Sequence, residues 1–145
     1  DSISLHIQVD DGAKEILLPK LSLQPLAENA WNHGILPKAG HRGVIRFQVS
    51  VEGEDCVIRV EDDGIGISPE KSDELNRAME EVCYDTTVSE SGSGIALRNV
   101  NNRIMLEDGE GYGVRLYPEE EGGCLVVVRM RRYRGETEPV AKKES

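Results

Sequence analysis

Three cysteines, Cys56, Cys83 and Cys124, are all that this 145-residue chain contains, and they are widely spaced with no CxxC pair. That excludes a disulfide framework or a cysteine-ligated zinc site and fits a reducing compartment. No apolar run approaches the ~18–20 residues that a bilayer crossing needs, and no signal peptide is recognisable. Positive charge is also short: 17 Lys and Arg stand against 27 Asp and Glu, a net charge of −10. Nucleic acid and anionic membranes, which reward positive surface, are therefore poor partners. A small phosphate ligand is not excluded, because it needs only a local electropositive pocket and a metal ion. The GxxxxGK[ST] spacing is missing too, so a phosphate site here is not of the Walker type. The first residue is Asp1 rather than Met, and we expect a piece of a longer protein with any membrane anchor outside it.

One domain usually takes roughly 100–200 residues, so one domain is expected, large enough to bury a core unaided. We place it at 1–133, with a disordered tail at 134–145. Residues 3–9 alternate, with Ile3, Leu5, Ile7 and Val9 on one side, which predicts a half-buried strand. Residues 21–34 predict a helix with Ser22 as N-cap, Pro25 in its first turn, an apolar stripe of Leu23, Leu26, Ala27 and Ala30, and Gly34 as its stop. Alternation returns in 44–51 (Ile45, Phe47, Val49, Val51) and 56–61 (Cys56, Ile58, Val60), joined by the hairpin signal Glu52-Gly53-Glu54-Asp55. Ser68 and Pro69 open a short helix near 69–82. The Ser-, Thr- and Gly-rich stretch 85–94 precedes a helix over 94–107 with the stripe Leu97, Val100 and Ile104, and strands follow near 112–117 and 123–131. Tight turns between strands predict a mostly antiparallel sheet, and half-buried alternation predicts helices on one face: an α+β two-layer sandwich.

Three stretches carry chemistry. In Leu23-Gln24-Pro25-Leu26-Ala27-Glu28-Asn29-Ala30-Trp31-Asn32-His33-Gly34, Asn29 and His33 are i and i+4 and share a helix face. Glu28 lies about 100° round from Asn29. An amide among apolar neighbours is costly without a partner, which sets Asn29 apart from the solvated Asn32. In Glu61-Asp62-Asp63-Gly64-Ile65-Gly66-Ile67 a strand runs into a glycine-spaced turn. There a flat ring can approach the backbone and a carboxylate can accept from an exocyclic amine. Alone, this is equally a solvated acidic turn. In Ser91-Gly92-Ser93-Gly94-Ile95-Ala96-Leu97-Arg98 a flexible run enters a helix, whose free N–H groups make an anion cradle.

The ordered set LQPLAENAxxHG, DDGIGI and GSGIALRNVxxRI resembles the N box and two glycine boxes of the GHKL ATPase superfamily, and most resembles its histidine kinases of the autolysin-sensor type. The resemblance covers roughly residues 13–132. It implies a Bergerat fold that binds ATP and Mg²⁺. Asn29 would offer a neutral oxygen to Mg²⁺, and Glu28 would assist proton removal or hold a metal-bound water. Asp62 would accept from the adenine amine, with Gly64 and Gly66 admitting the base. Residues 68–91 would form a lid. Gly92, Ser93, Gly94, Ile95, Ala96 and Leu97 would form the phosphate-binding helix start, and His33 would donate to a phosphate. Arg98 and Arg103 fit surface ion pairs better than charge neutralisation.

Two departures from the family pattern stand out: Ala96 replaces a glycine, and Gly123-Cys124 replaces Gly-Thr, which removes a hydroxyl. They keep a second reading open, a degenerate non-catalytic nucleotide module. A serine kinase or gyrase-like ATPase of the same superfamily is a third. The resemblance further implies a cytoplasmic domain of a membrane-anchored bacterial receptor. Its partners would be a helical phosphoacceptor region of that receptor and a response regulator; the parent would be a homodimer and the isolated domain a monomer. His6 and His41 read as solvated surface and His33 belongs to the nucleotide site, so none matches the family's acceptor. The purified chain should therefore bind ATP without phosphorylating itself. A strong phosphohistidine signal from the chain alone would overturn this.

Overall fold

The computed structural model of the chain describes residues 2–10, 24–38, 40, 42–82 and 95–131. Alternation builds the sheet: β1 (Ser2–Val9), β2 (Arg42–Glu52), β3 (Asp55–Asp62), β4 (Gly113–Pro118) and β5 (Cys124–Arg131). They lie in the order β1-β2-β3-β5-β4, with β1 parallel to β2 and every other pair antiparallel. The helices are α1 (Gln24–Ala30), which runs into a π-helical turn at Trp31–Ile35, then α2 (Pro69–Ala78) and α3 (Ile95–Asp108).

Register turns the alternation into a core. Phe47, Val60, Val126 and Leu116 stand side by side in one row, and Val49, Ile58, Val128 and Val114 in the next. All are buried, and Leu26 and Ala30 of α1 with Leu97, Val100 and Ile104 of α3 pack against them. Burying a side chain of this size contributes about 1.5–3 kcal/mol, so these rows decide which face the helices cover.

Three expectations need correction. Leu5 and Ile7 are each 54% exposed, not half-buried. Their register with Ile45 and Phe47 puts them on the core side, but β1 is the edge strand, and alternation reports the side of a sheet rather than what covers it. Gly34 is not the stop of α1. The Leu36 N–H donates to the Trp31 carbonyl at 2.8 Å, and Leu36 is still helical at φ −58 and ψ −42. The wider π turn carries the chain through Gly34. Helix α2 ends at Ala78, short of 82, because Met79 leaves the helix to enter the core. Its start is as expected: the Ser68 hydroxyl accepts from the Lys71 N–H at 3.0 Å. The expected cap Ser22, the stretch 85–94, His41 and the tail 134–145 lie outside the described residues.

Strand β4 ends the sheet, and two asparagine side chains take its open edge. Asn76 of α2 donates to the Leu116 carbonyl at 2.9 Å and accepts from the Leu116 N–H at 2.8 Å. Asn101 of α3, fully buried, accepts from the Val114 N–H at 2.8 Å and donates to the Met79 carbonyl at 3.0 Å. Each amide replaces part of a missing strand, satisfying backbone groups that would otherwise be costly. Asn101→Ala should leave two buried backbone groups unpaired and cost about 2–4 kcal/mol. Urea denaturation measures this; a loss below about 1 kcal/mol would show that the network is dispensable.

Candidate functional site

The helix-facing rows of the sheet end on a polar one. One step beyond Phe47, Val60 and Val126 come Ile45, Asp62 and Cys124. Asp62 continues the alternation of Cys56, Ile58 and Val60, so it points toward the helices and is only 7% exposed. Its Oδ1 accepts from the Gly64 N–H at 2.8 Å. Burial raises its pKa above the usual carboxylate value, and the charge of Asp63 adds to this, while the Gly64 and Cys124 N–H groups and Lys38 act the other way. The Cys124 thiol is pushed up to about 12, first by burial and then by the charge of Asp62. It stays protonated at neutral pH and is a poor nucleophile.

The turn after β3 is pressed onto the end of the α1 helix. The Ile65 N–H donates to the Gly34 carbonyl at 3.0 Å. A Cβ at Gly64 would overlap the Gly34 backbone, and one at Gly34 would fall 2.7 Å from the Asp62 Oδ1. Gly123, at φ 92, lies so close that a Cβ would overlap the Asp62 carbonyl. Only hydrogen fits at these contacts. Asp63 fastens the other side: its carboxylate accepts from the Val44 N–H at 2.8 Å, and its carbonyl from the Lys38 ammonium at 2.9 Å.

Between α1, α2 and the start of α3 lies a cavity of about 330 Å³. Asn29, His33 and Gly34 form one wall and Ser68, Lys71 and Leu75 another; Gly66, Leu97, Leu116 and Cys124 also border it. Asn29 is half-buried, and its side-chain amide has no hydrogen-bond partner among the described residues. Asp62 stands behind Gly34 rather than on the cavity wall, and borders a separate acidic depression with Glu61, Asp63 and Glu119. Gly64 braces the turn from outside the cavity. Glu28 is exposed, accepts from the Gln24 amide at 2.8 Å and does not line the cavity. Gly92, Ser93 and Gly94 lie outside the described residues, as do the side chains of Ile95 and Ala96, the first two residues of α3.

Sequence reading passed over Lys71, Leu75 and Leu116. The first two share a face with Ser68 at helical spacing, and that spacing was the available signal. Among the described residues no three His, Cys, Asp or Glu side chains converge on a metal position. A cation in the cavity would take the unpaired Asn29 oxygen and complete its shell from the ligand and water, as Mg²⁺ does. The residues therefore fit Mg²⁺ carried in with a phosphate ligand.

The family model described as histidine kinase-, DNA gyrase B-, and HSP90-like ATPase matches residues 15–134. Sensor histidine kinase YesM of Bacillus subtilis (strain 168) is 36% identical over 129 residues, covering 88% of this chain and 19% of its own length. Sensor protein kinase HptS of Staphylococcus aureus (strain USA300) is 24% identical over 135 residues, 93% of this chain and 24% of its own. The chain thus spans about a fifth to a quarter of these relatives. Among solved structures, the catalytic domain of histidine kinase ThkA aligns with a TM-score of 0.58 at 15% identity, covering 90% of this chain and 79% of that one. Full-length ShkA in complex with AMPPNP aligns at 0.57 and 19% identity, covering 88% and 25%. These similarities establish the fold: the open five-stranded sheet with its helices is that of a histidine kinase catalytic domain, the Bergerat architecture.

The raised pKa of Asp62 has a sign that can be tested. A carboxyl whose folded pKa is raised contributes stability while protonated and loses it as the pH rises through the folded value. At neutral pH the buried charge is a cost, so Asp62→Asn, which can keep the bond from Gly64, should raise the melting temperature by a few degrees. That gain should shrink as the pH falls through the raised pKa toward the ordinary value of about 3.9. A destabilised Asp62→Asn at pH 7 would contradict the assignment of burial as the dominant cause.

Proposed function

The chain belongs to the histidine kinase-, DNA gyrase B-, and HSP90-like ATPases, and from that premise we propose that it is the ATP-binding catalytic domain of a sensor histidine kinase, which passes the terminal phosphoryl group of ATP to a histidine outside this chain. The observation that carries this reading is the unpaired, half-buried Asn29 amide, which faces the same cavity as Gly66 and Cys124 at the Asp62 end of the sheet.

We assign the roles as follows. ATP with Mg²⁺ supplies the transferable group and most of the charge neutralisation. Asn29 offers its amide oxygen to the cation. Asp62 does not line the cavity itself but stands beside Cys124, which does; held by the Gly64 N–H, it is our candidate to accept from an exocyclic amine, and Gly66 leaves room for a flat base. Leu75, Leu97 and Leu116 give the cavity an apolar lining that excludes water. His33, at the exposed rim, donates toward a phosphate. The start of α3, with residues 92–94, is our candidate cradle for the phosphate chain. Glu28 lies at the surface next to Asn29, open to an acceptor arriving from outside, and is our candidate to take the imidazole proton. Phosphoryl transfer depends mainly on positioning and charge, which these residues provide in parts.

The acceptor belongs to a helical region of the parent receptor, and a response regulator would take the phosphoryl group next. The receptor would be a membrane-anchored homodimer with this domain on its cytoplasmic side. No helix among the described residues is long and apolar enough to cross a membrane. We take residues 1–133 as the domain and 134–145 as a tail.

Calorimetric titration with a non-hydrolysable ATP analogue tests the site. Wild type should bind; Asp62→Ala should lose at least tenfold in affinity, as expected for a hydrogen bond to a charged group; and Asn29→Ala should bind without dependence on Mg²⁺. Adding the acceptor region in trans with labelled ATP should then transfer label. Binding without transfer would favour the non-catalytic reading that Cys124 keeps open. No binding by the folded chain at millimolar nucleotide would sink the nucleotide site itself.

A further inference from the structure

Helix α2 turns one face to the cavity. Ser68, Lys71 and Leu75, spaced i, i+3 and i+7, all line it, as a 3.6-residue period requires. The acids of the same helix, Glu70, Asp73 and Glu74, do not border the cavity, whereas Lys71, exposed as they are, does. Lys71 is the only lysine or arginine among the described residues that line it. No described carboxylate pairs with it, not even Glu74 on the next turn. Lys38, the cation just past the α1 turn, is committed to Asp63 at 2.9 Å to its carbonyl and 3.7 Å to its carboxylate.

The position of Lys71 is locally unfavourable. With Ser68 as cap, it is the third residue of the first helical turn, where the unsatisfied N–H groups disfavour a cation. In a chain with 27 acids and 17 bases, this lysine has no ionic partner among the described residues. It stands across the cavity from Asn29, which carries no charge to offer an anion.

We propose that Lys71 is the residue through which this site reads the phosphate chain of its nucleotide. It is a positioning residue that sets affinity for the triphosphate above that for the bare nucleoside. The inference rests on the reading of the cavity as an ATP site. An ammonium has the chemistry for it: a compact point charge on a flexible stem reaches phosphate oxygens without a fixed geometry. It also explains why the one base on that helix face borders the cavity while the acids do not.

The test is titration of the 145-residue chain with ATP, ADP and adenosine, for wild type, Lys71→Met, Lys71→Gln and Lys71→Arg, at low and high salt. Methionine and glutamine are good helix formers, and thermal melts confirm that each variant is folded. Lys71→Met and Lys71→Gln should weaken ATP about tenfold, roughly 1.4 kcal/mol, and leave adenosine within about twofold. Lys71→Arg should restore ATP binding, and the salt dependence of ATP affinity should flatten in the uncharged variants. Equal losses for ATP and adenosine would make Lys71 a base contact or a structural residue, and an unchanged ATP affinity would remove it from the site; either overturns the inference while the ATP site stands. If wild type binds neither ligand, the nucleotide reading falls, and this inference with it.

Discussion

The fold and the site both depend on a backbone-to-backbone contact with no room for a side chain, the one between Gly34 and Gly64. Through it the end of the first helix rests directly on the turn that follows β3, sealed by the Ile65–Gly34 hydrogen bond. A single methyl there would push helix and sheet apart. Since Asn29 rides on that helix and Asp62 on that strand, the same movement would change the distance between them. The position of two polar groups from distant parts of the sequence is thus set by what is absent between them. The π turn just before the contact is part of the same arrangement. It lets the helix run on through Gly34 and brings that residue's carbonyl to the turn.

Asp62 shows a charged group placed in the core at a cost to stability. Its register makes it a core residue in every respect but chemistry: it follows three apolar residues on the same face and is nearly as buried. A carboxylate there is desolvated, and the two backbone N–H groups that approach it offset part of that penalty without removing it. Asn101 is the opposite case. It is fully buried and polar, and its bonds join α3, the end of α2 and β4. One buried polar side chain is, on the proposed reading, kept for a ligand, and the other serves the architecture. What separates them is whether their partners are already within the chain.

Much of this was legible in the sequence because it is periodic or local. The alternation of Ile45, Phe47 and Val49 and of Cys56, Ile58 and Val60 marks two strands and their inner faces. Carried one step further, it also turns Asp62 inward. The stripe Leu97, Val100, Ile104 marks α3, and Ser68-Pro69 marks the start of α2. The rest is not local. Asn76 and Asn101 serve backbone groups 40 and 13 residues away, and nothing in their neighbourhoods signals it. Gly34 reads as a helix stop because a glycine after a helical run usually is one; the widened turn that carries the chain past it leaves no periodic trace. Leu5 and Ile7 read as half-buried because alternation tells which way a side chain points and not whether a neighbour lies above it. At the site, Asn29, His33 and Gly66 could be singled out from their settings, whereas Lys71 drew no attention because a lone lysine in a helix is ordinarily solvated.

The side chains of Asn76 and Asn101 on the edge of β4 also bear on how the sheet guards itself. An unpaired strand edge is a template on which another chain can add a strand and begin a fibre. Here that template is covered by amides carried on two helices, and Asn76 sits on the helix that turns Lys71 and Leu75 toward the cavity. Any excursion that lifts α2 off the sheet opens the cavity and bares a stretch of β4 at once. A ligand that bridged α1 and α2 would keep that edge covered, so filling the cavity would also guard the sheet against recruiting a neighbour.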